Sequence, residues 1–406
     1  MYIKRHIEKA LKSAIKEKGA LCVTGARQVG KSTVLKNLFT GHKEITLDET
    51  RLLRLALEQP EEFFMHFEPP VFIDEIQYAP SLFPYIKIHI DKTGEKGAFV
   101  LSGSQRYEMM SNVTESLAGR INLMDLYGLS LREILGDDFM EAFMPTQEFL
   151  KQRKPKQIKY GEIWENIWRG FFPEIVTEGT NWSRFYSSYM RTYLDRDVSR
   201  LGQVGNLLQF EKFMVAIAAR TGQLLNITDV AKDIGISHQT AEKWLSILIA
   251  SNMVFMLKPY HNNVLKRLIK TPKIYFLDTG LASYLVGWDN AQVLQNGAMS
   301  GAFFETFVIG EIIKSWTNVD GVTPKMNFFF FRDKDGNEID LLIKRGDTLF
   351  PIEIKKHISC DRSDIRAFSQ LDKIPDMRRG EGCVVCMADD VFPITPTDRA
   401  VGVRYI

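Results

Sequence analysis

The chain has 406 residues, 45% of them hydrophobic and 25% charged, with a formal net charge of +2. This length predicts two to four domains. The small net charge excludes a protein that is basic over its whole surface, so any nucleic-acid surface must be local. The N-terminus lacks the apolar core of a signal peptide, and no apolar run approaches the roughly 18 residues of a membrane span. We therefore expect a cytoplasmic protein without a membrane partner.

The first motif in the chain is a phosphate-binding loop, GARQVGKS, at residues 25–32. It lies between a short apolar run and a segment with apolar residues at helical spacing, the context that such a loop requires. Backbone N–H groups and the positive end of the following helix then face the anion. Lys31 can reach the terminal phosphates, and Ser32 can ligate Mg²⁺. The predicted cofactors are ATP and Mg²⁺, and the predicted ATP-binding residues of this loop are Gly25, Ala26, Arg27, Gln28, Val29, Gly30, Lys31, Ser32 and Thr33.

Two further strand ends complete the predicted nucleotide site. An apolar run ends in Asp74 and Glu75, and acids after a parallel strand emerge at the edge where nucleotides bind. Asp74 is predicted to bind ATP-associated Mg²⁺, and Glu75 to orient and deprotonate the attacking water. Ser104 and Gln105 follow another apolar run and are candidate sensors of the γ-phosphate. The alternative for Ser104 is an ordinary exit from a strand.

Arg120 stands directly before a further apolar run. An arginine there could project from one subunit towards the nucleotide of its neighbour and stabilise charge in the transition state. The alternative is a surface arginine paired with a local acid. Strands separated by helical segments predict a doubly wound parallel sheet for this part of the chain.

The middle of the chain changes character at residues 136–160, where prolines and a basic run follow a Gly-Asp-Asp sequence. We expect an exposed connector, with the basic run a solvated face rather than a nucleic-acid contact. Between residues 162 and 200, aromatic residues recur at spacings of three and four. This pattern predicts helices with one apolar face, arranged as a lid over the nucleotide edge.

Residues 227–250 have the pattern of a helix-turn-helix, with a short helix, a tight turn, and a second helix capped by Ser237. Runs at 254–257 and 273–277 can form wing strands. In such modules the second helix enters the major groove, so we predict DNA as a partner. A surface that contacts only proteins is the alternative. The predicted DNA-binding residues are Ser237, His238, Gln239, Lys243, Lys266, Arg267 and Lys270.

The C-terminal part carries acids in a recurring order. Glu305 lies in an amphipathic helical run, Asp340 at the start of a strand, and Glu353 and Lys355 on one face of another. A hairpin would bring Asp340 and Glu353 together. Paired carboxylates beside a lysine can hold Mg²⁺ and activate water against a phosphodiester. We predict Glu305, Asp340 and Glu353 as metal ligands and Glu353 and Lys355 as catalytic, beside Lys31, Glu75 and Arg120 in the ATPase.

The four cysteines include one CxxC, Cys383 and Cys386, inside an apolar run. A metal site would need a second pair of ligands. We therefore expect buried structural thiols, with a redox or metal role as the alternative.

The order of helix acid, strand acid and Glu-x-Lys resembles the PD-(D/E)XK nuclease fold, which also occurs in inert binding domains. The whole chain resembles a bacterial and archaeal group of AAA+-like P-loop ATPases with a winged-helix middle and a nuclease-like C-terminal domain. The resemblance implies a homo-oligomer, a hexameric ring. The strings that carry it are residues 25–32, 73–75, 101–104, 117–120, 193–197, 278–281, 338–340 and 353–355.

The predicted fold class is α/β: a P-loop AAA+-like parallel sheet, then a helical lid and winged helix, then an α/β restriction-endonuclease-like domain. The predicted domains are the ATPase at 1–135, a connector and helical lid at 136–206, the winged helix at 207–280, and the nuclease-like domain at 281–406.

Three functions remain open at this point. The first is an ATPase that remodels branched or duplex DNA, by Holliday-junction branch migration or by Mg²⁺-dependent cleavage. The second is an ATP-gated switch or scaffold with an inactive nuclease-like domain. The third is a defence or toxin-like nuclease restrained by the ATPase.

Overall fold

The computed structural model describes residues 2–104, 117–198, 204, 206–260 and 271–406. The described α-helices are α1 Glu8–Ala14, α2 Lys31–Leu38, α3 Thr50–Glu58, α4 Pro60–His66, α5 Phe83–Thr93, α6 Leu131–Ile134, α7 Gln147–Gln152, α8 Tyr160–Arg169, α9 Pro173–Thr177, α10 Trp182–Thr192, α11 Leu207–Ala218, α12 Ile227–Ile234, α13 His238–Ala250, α14 Thr279–Val286, α15 Ala291–Asn296 and α16 Ser300–Asp320. The described strands are β1 Ala20–Thr24, β2 Lys43–Thr46, β3 Val71–Asp74, β4 Phe99–Gly103, β5 Ile121–Asp125, β6 Gln223–Leu224, β7 Val254–Pro259, β8 Lys273–Phe276, β9 Phe328–Arg332, β10 Glu338–Arg345, β11 Thr348–Ile354, β12 Arg378–Arg379, β13 Gly382–Cys386, β14 Val391–Pro393 and β15 Asp398–Gly402.

The first sheet has five parallel strands in the order β2-β3-β4-β1-β5. Every residue of β1 and β4 is buried, as expected for central strands covered on both faces. In register, Thr24 at the end of β1 lies beside Gly103 and Asp125. The phosphate-binding loop, the acids after β3 and Ser104 therefore leave the sheet at one edge. This confirms the predicted parallel α/β sheet of the first part of the chain.

Helices α12 and α13 form at the predicted positions, joined by Gly235 in the left-handed region with φ 74°. Ser237 caps α13 and accepts a hydrogen bond from the N–H of Thr240 at 3.1 Å. The apolar face of α13 packs on α11, where Trp244 meets the ring of Phe210 at 5.3 Å between centroids. Strands β7 and β8 follow as an antiparallel pair.

The second sheet has ten strands, with β14-β15-β13-β11-β10-β9-β7-β8-β6 in order and β12 paired to β11. Strand β7 pairs in parallel with β9, and Lys258 lies opposite Phe329. The β7–β8 pair and the C-terminal strands thus share one continuous sheet. The predicted domain boundary at residue 280 divides this sheet, with β6, β7 and β8 before it and β9–β15 after it. The division into domains remains a prediction.

The structure differs from the expected exposed connector at residues 136–160. Phe143 and Phe149 are buried, and Arg153, also buried, pairs with Asp137 at 2.8 Å. The guanidinium of Arg153 also donates to backbone carbonyls near the C-terminus of the chain. Aromatic residues ahead of the basic run supply apolar surface that packs this segment onto the core, which a count of its charges does not reveal.

Helix α16 joins the two halves of the molecule. The N–H of Leu131 donates to Oε2 of Glu311 at 2.7 Å, and Lys314 donates to the carbonyl of Leu129 at 2.9 Å. Both α16 side chains are buried, so losing either bond would leave a polar group unsatisfied. Among the described residues, neither this helix nor any other has the length and apolarity to cross a bilayer.

Candidate functional site

The loop between β1 and α2 has the backbone geometry of an anion cradle. Gln28 and Gly30 have φ values of 60° and 93°, in the left-handed region that few residues other than glycine adopt readily. A side chain at Gly25 would lie 2.1 Å from the carbonyl oxygen of Leu126, so only glycine fits there. Helix α2 begins at Lys31, and its first N–H groups therefore face the loop.

Lys31 is held over this loop. Its ammonium donates to the carbonyls of Gly25 at 3.0 Å and Ala26 at 2.8 Å, and the residue is buried. Phosphate oxygens are stronger acceptors than carbonyls for a charged donor. A bound triphosphate would therefore draw the ammonium away from these carbonyls over a short distance.

Asp74 lies between two hydroxyl groups. Ser32 donates to its Oδ2 at 2.7 Å, and Ser102 donates to its Oδ1. Mg²⁺ prefers a few protein oxygens together with phosphate oxygens and waters, and the oxygens of Ser32 and Asp74 fit that requirement. Sequence reasoning missed Ser102, although a serine inside the apolar run of β4 was a readable signal.

Glu75 is held by hydrogen bonds in a strained backbone conformation, with φ 57°. Gln77 donates to Oε2 of Glu75, and the hydroxyl of Ser104 also donates to that oxygen, at 3.4 Å. The amide of Gln77 reaches Ser104 as well, at 3.2 Å. Gln77 is buried and was missed by sequence reasoning, although it is the polar residue in the turn directly after the acids.

A cavity of about 600 Å³ lies at this edge of the sheet, within the size range of small-molecule sites. Its wall includes Glu75 and, from the predicted loop residues, Arg27, Gln28, Gly30, Lys31, Ser32 and Thr33. The opposite wall comes from α9 and α10, through residues that include Glu174, Thr177 and Thr192. The nucleotide cavity is therefore shared between the first sheet and the helices that follow it.

Arg5 is a further cavity residue that sequence reasoning missed. Its guanidinium donates to the carbonyls of Val29 at 2.9 Å and Tyr127 at 2.7 Å and pairs with Glu133 at 3.1 Å. Both Arg5 and Glu133 are buried, and the arginine outweighs the effect of burial and holds the pKa of Glu133 below its usual value. No local signal could have identified this residue, because its partners are distant in the sequence.

Arg120 does not reach this cavity within one chain. It pairs with Asp91, and one bond runs from Nη2 to Oδ2 at 2.9 Å. This hydrogen bond lowers the pKa of Asp91. Both groups are exposed to solvent, where ion pairs contribute little to stability. A role for Arg120 at the nucleotide of a neighbouring subunit remains a prediction.

The C-terminal acids gather around a lysine. Glu305, Glu338, Asp340 and Glu353 are called the acidic cluster below. The ammonium of Lys273 lies 2.9 Å from Oε1 of Glu305 and 3.2 Å from Oδ1 of Asp340, and it also pairs with Glu338. Lys273 is buried. Sequence reasoning placed Lys273 in a possible wing strand, and it did not foresee the shared sheet that buries this residue.

The predicted Mg²⁺ ligands do not fit a divalent cation as they are arranged. Oδ1 of Asp340 faces Lys273, and its Oδ2 accepts the N–H of Ile354 at 2.9 Å. Oxygens of Glu305, Asp340 and Glu353 do not all approach within 4.8 Å of one another in the described structure. Oε2 of Glu353 is buried without a hydrogen-bond partner among the described residues, but one free oxygen does not make a Mg²⁺ site.

Burial shapes the titration of the acidic cluster. Burial, together with the charge of Asp340, raises the pKa of Glu305 to about 7 and that of Glu353 to about 8. Burial opposes the charge on Lys273, but the surrounding anionic side chains outweigh it and hold the pKa of this lysine well above its usual value. Lys355 donates to Oε1 of Glu353 at 2.6 Å. The ammonium of Lys273 therefore stays charged, while Glu305 and Glu353 exchange protons near neutral pH.

The predicted DNA-binding residues lie partly in the described structure. Ser237, His238, Gln239 and Lys243 are exposed on the face of α13 and the turn before it, although the hydroxyl of Ser237 is also used as the helix cap. His238 lies 3.5 Å from Glu242. Lys266, Arg267 and Lys270 lie outside the described residues, as does the candidate sensor Gln105.

Three segments of the chain match known protein families. Residues 17–135 match a family described as an AAA domain. Residues 161–292 match the domain of unknown function DUF8612, and residues 300–406 match the domain of unknown function DUF4143.

Similar whole proteins are known from mycobacteria. The uncharacterized protein Rv2008c of Mycobacterium tuberculosis is 25% identical over 395 residues, which cover 96% of this chain and 81% of that protein. The uncharacterized protein Mb2031c of Mycobacterium bovis matches to the same extent. Among solved structures, the Walker-type ATPase paby2304 of Pyrococcus abyssi is 12% identical, with 69% of this chain and 94% of that chain covered and a TM-score of 0.43.

The parallel sheet, the loop geometry around Lys31, and the match of residues 17–135 to an AAA domain agree with one another. The N-terminal part of this protein is an AAA-type P-loop ATPase domain, the class predicted from its sequence.

Proposed function

We propose that this protein is an ATP-hydrolysing switch that binds duplex or branched DNA through α13 and lets the bound nucleotide set the strength of that binding. In this proposal the acidic cluster does not cut DNA. The observation that carries the proposal is a pair of adjacent residues, Thr192 and Tyr193. Thr192 belongs to the wall of the nucleotide cavity, and Tyr193 hydrogen-bonds to Ser251 at the end of α13.

The hydrolytic step follows from the residues of the first sheet. Lys31 would leave its carbonyl acceptors and bind the terminal phosphates, while Ser32 and Asp74 would hold Mg²⁺. That ion, when bound, neutralises phosphate charge. Glu75 would accept a proton from the attacking water once Gln77 and Ser104 release its carboxylate. Phosphoryl transfer needs positioning and electrostatic stabilisation more than covalent help, which suits this set of residues.

The proposed coupling between the nucleotide cavity and the DNA-binding surface runs through α10 into α13. The hydroxyl groups of Tyr193 and Ser251 lie 3.2 Å apart, and Ser251 also donates to the carbonyl of Ile247 in the last turn of α13. Tyr193 is buried, so its ring cannot move without moving its surroundings. A shift of α10 on nucleotide binding would therefore reach α13 directly.

A second connection joins the phosphate-binding loop to the C-terminal part. Thr24, the last residue of β1, donates to Oδ1 of Asp125 at 3.0 Å, and Thr323 donates to Oδ2 of the same carboxylate at 2.7 Å. Tyr127 also bonds to Thr323. Because these bonds are buried, they support the proposal that the two parts of the chain respond to nucleotide together and not as loosely tethered domains.

The absence of cleavage in this proposal rests on Lys273. A buried ammonium among Glu305, Glu338 and Asp340 already supplies the positive charge that a cation would bring. Displacing it would leave a buried charge without its partners, at considerable cost. This arrangement favours the switch with an inactive nuclease-like domain over the DNA-cleaving and toxin-like alternatives.

DNA is proposed as the partner because of the surface that α13 presents. His238, Gln239 and Lys243 are exposed on one side of the helix, while Trp244 and Leu248 are buried on the other. Polar and basic side chains at the start of a second helix are suited to contacts with base edges and phosphates. A partner protein at the same surface is the outcome that would replace DNA.

A homo-oligomer, as in ring-forming ATPases, completes the proposal. Arg120 would leave Asp91 and contact the nucleotide of the neighbouring subunit. Sedimentation with and without nucleotide tests this directly, since the proposal requires assembly with ATP. An Arg120→Ala variant that assembles and hydrolyses ATP like the wild type would remove Arg120 from this role.

The experiment that tests the proposal measures ATP turnover without DNA and with duplex, single strands or a four-way junction, and analyses the DNA afterwards on a denaturing gel. Lys31→Ala serves as the blank. We expect turnover that responds to DNA and strands that stay intact. Turnover that ignores every DNA would point to a protein partner instead. Nicking with Mg²⁺ that disappears in Glu353→Ala would assign a working nuclease and contradict the proposal.

A further inference from the structure

The loop after β11 brings together three potential metal ligands. His357, Cys360 and Asp364 each offer one ligand atom, and these atoms all lie within 4.8 Å of one another. It is the only such group of three His, Cys, Asp or Glu residues in the described part of the chain. The group lies beyond the C-terminal end of β11, outside both the nucleotide cavity and the acidic cluster.

We propose that His357, Cys360 and Asp364 bind one transition-metal ion of the Zn²⁺ class. Zn²⁺ is bound by combinations of thiolate, imidazole and carboxylate ligands. Soft thiolate and imidazole ligands select against Mg²⁺ and Ca²⁺, which prefer oxygen ligands alone. The ligand set therefore distinguishes this site from the Mg²⁺ site of the ATPase.

The observed distances, which involve two different nitrogens of the His357 ring, are near or just above the upper limit for a loaded site. Sγ of Cys360 lies 3.9 Å from Nδ1 of His357, and Oδ1 of Asp364 lies 3.7 Å from Nε2 of the same ring. With Zn–ligand bonds of about 2.0–2.3 Å, ligand atoms in a tetrahedral site are about 3.3–3.8 Å apart. The ring would ligate through one nitrogen, and side-chain movements alone would close the site.

Neighbouring groups hold the ligands in place. Oδ2 of Asp364 accepts the N–H of Asp361 at 3.0 Å, which leaves Oδ1 facing the ring. The carbonyl of His357 accepts the N–H of Met387 at 3.1 Å, which fixes the loop beside the end of β13. The thiol of Cys386 donates to the carbonyl of Ile358 at 3.9 Å, which connects the same loop to β13. Supporting contacts of this kind orient ligands in metal sites before the ion arrives.

Access and coordination number also agree with a metal site. The side chain of His357 is 47% exposed, so an ion can enter from solvent. Three protein ligands leave one coordination position for water or another ligand, as in zinc sites that are not purely structural. Cys383 and Cys386 are buried in β13, as predicted. Of this CxxC pair, Cys386 contacts the loop, through the carbonyl of Ile358.

The test uses the full chain without a histidine tag, reduced and stripped with a chelator. Co²⁺ is titrated first, because a thiolate ligand gives a charge-transfer band in the near ultraviolet and tetrahedral Co²⁺ absorbs strongly in the visible. Zn²⁺ is then added as competitor, and bound metal is counted by mass spectrometry. We expect one tightly bound ion per chain and displacement of Co²⁺ by Zn²⁺. Cys360→Ser should lose the thiolate band, and His357→Ala should bind at least about tenfold more weakly.

Cys383→Ser is the matched control, since it removes a buried thiol of the neighbouring strand that does not contact the loop. It should retain the band and the stoichiometry. Thermal unfolding of each stripped variant establishes that it is folded, and Asp364→Asn provides a second ligand variant if one fails. Absence of a thiolate band in the wild type, or equal binding by Cys360→Ser, would overturn the proposal. So would a Cys360–Cys386 disulfide in the purified protein that binds no metal after reduction.

Discussion

The ammonium of Lys273 lies 2.9 Å from Oε1 of Glu305, at the centre of acids whose order in the sequence predicts a metal site. The lysine comes from β8 and the glutamate from α16, so the contact joins the strand pair that follows α13 to the C-terminal part of the chain. The ammonium of Lys273 lies where a catalytic ion was predicted, and there it can hold the β7–β8 pair to the C-terminal part of the chain. The nucleotide site, in contrast, has Lys31, Ser32, Asp74 and Glu75 together at one edge of its sheet.

Removal of this lysine should destabilise the protein strongly. Lys273→Met leaves the buried acids without their positive partner, and breaking a buried ion pair from one side typically costs about 3–5 kcal/mol. We expect a corresponding loss in the free energy of unfolding, measured by denaturant titration. Lys355→Met is the control, because Lys355 is half-exposed and pairs with Glu353 alone among the described carboxylates. Equal effects of the two substitutions would remove the special role of Lys273, and Lys273→Arg covers the case of a variant that does not fold.

Gln77 should restrain ATP hydrolysis. Its amide holds the carboxylate of Glu75, and a hydrogen bond to a charged group contributes about 1.5–3 kcal/mol. Gln77→Ala should therefore raise kcat by about tenfold in the absence of a partner while KM stays unchanged. Glu75→Gln should lower kcat by about 100-fold or more. A Gln77→Ala protein with reduced kcat would show that Gln77 positions Glu75 for the reaction instead of withholding it.

Tyr193 should transmit the nucleotide state to α13. Tyr193→Phe removes the hydroxyl that bonds to Ser251 but retains the ring, so basal ATP turnover should be unchanged. The difference in DNA affinity between the ATP and ADP states should shrink severalfold, as measured by fluorescence anisotropy. Tyr260→Phe, directly after β7 of the second sheet, is the matched control and should behave like the wild type. Unaltered nucleotide dependence in Tyr193→Phe would mean that coupling takes another route.

The raised pKa of Glu305 predicts a pH dependence of stability. Its folded pKa of about 7 exceeds its usual value of 4.5, so the folded state binds the proton more tightly than the unfolded state. The resulting stabilisation is complete below about pH 4.5 and is lost as the pH rises through 7. Glu305→Gln removes this titration, so the variant should gain stability relative to the wild type between pH 5.5 and 8.5, by at most on the order of 3 kcal/mol. A difference that does not change with pH would contradict the assigned environment of Glu305.

The sequence predicted the elements that depend on local patterns. The loop around Lys31, the acids after β3, and the cap of α13 at Ser237 each depend on a few consecutive residues. The structure has all three where they were expected, because hydrophobic periodicity and capping act over one or two turns. The nucleotide site was therefore largely readable in advance.

Features that depend on distant segments could not be read in this way. Lys273 enters the acidic cluster because β7 pairs with β9, and no local pattern encodes that pairing. Arg5 joins the phosphate-binding loop to Tyr127 and Glu133, which lie at the opposite end of the domain sequence. The metal-ligand group could be recognised only from the structure, for a different reason. His357, Cys360 and Asp364 are close in sequence, but their spacing matches no standard motif.

The central claim is that nucleotide sets DNA binding without cleavage. The most direct measurement is the dissociation constant for a fluorescent four-way junction and its matched duplex with full-length Glu75→Gln, which binds ATP but hydrolyses it slowly, in ATP and in ADP. The account predicts at least a tenfold difference between the two nucleotides for one of these DNAs, with every strand intact after incubation with Mg²⁺. Equal affinities in both nucleotide states, or cut strands that Lys273→Arg and Glu353→Ala variants no longer produce, would contradict it.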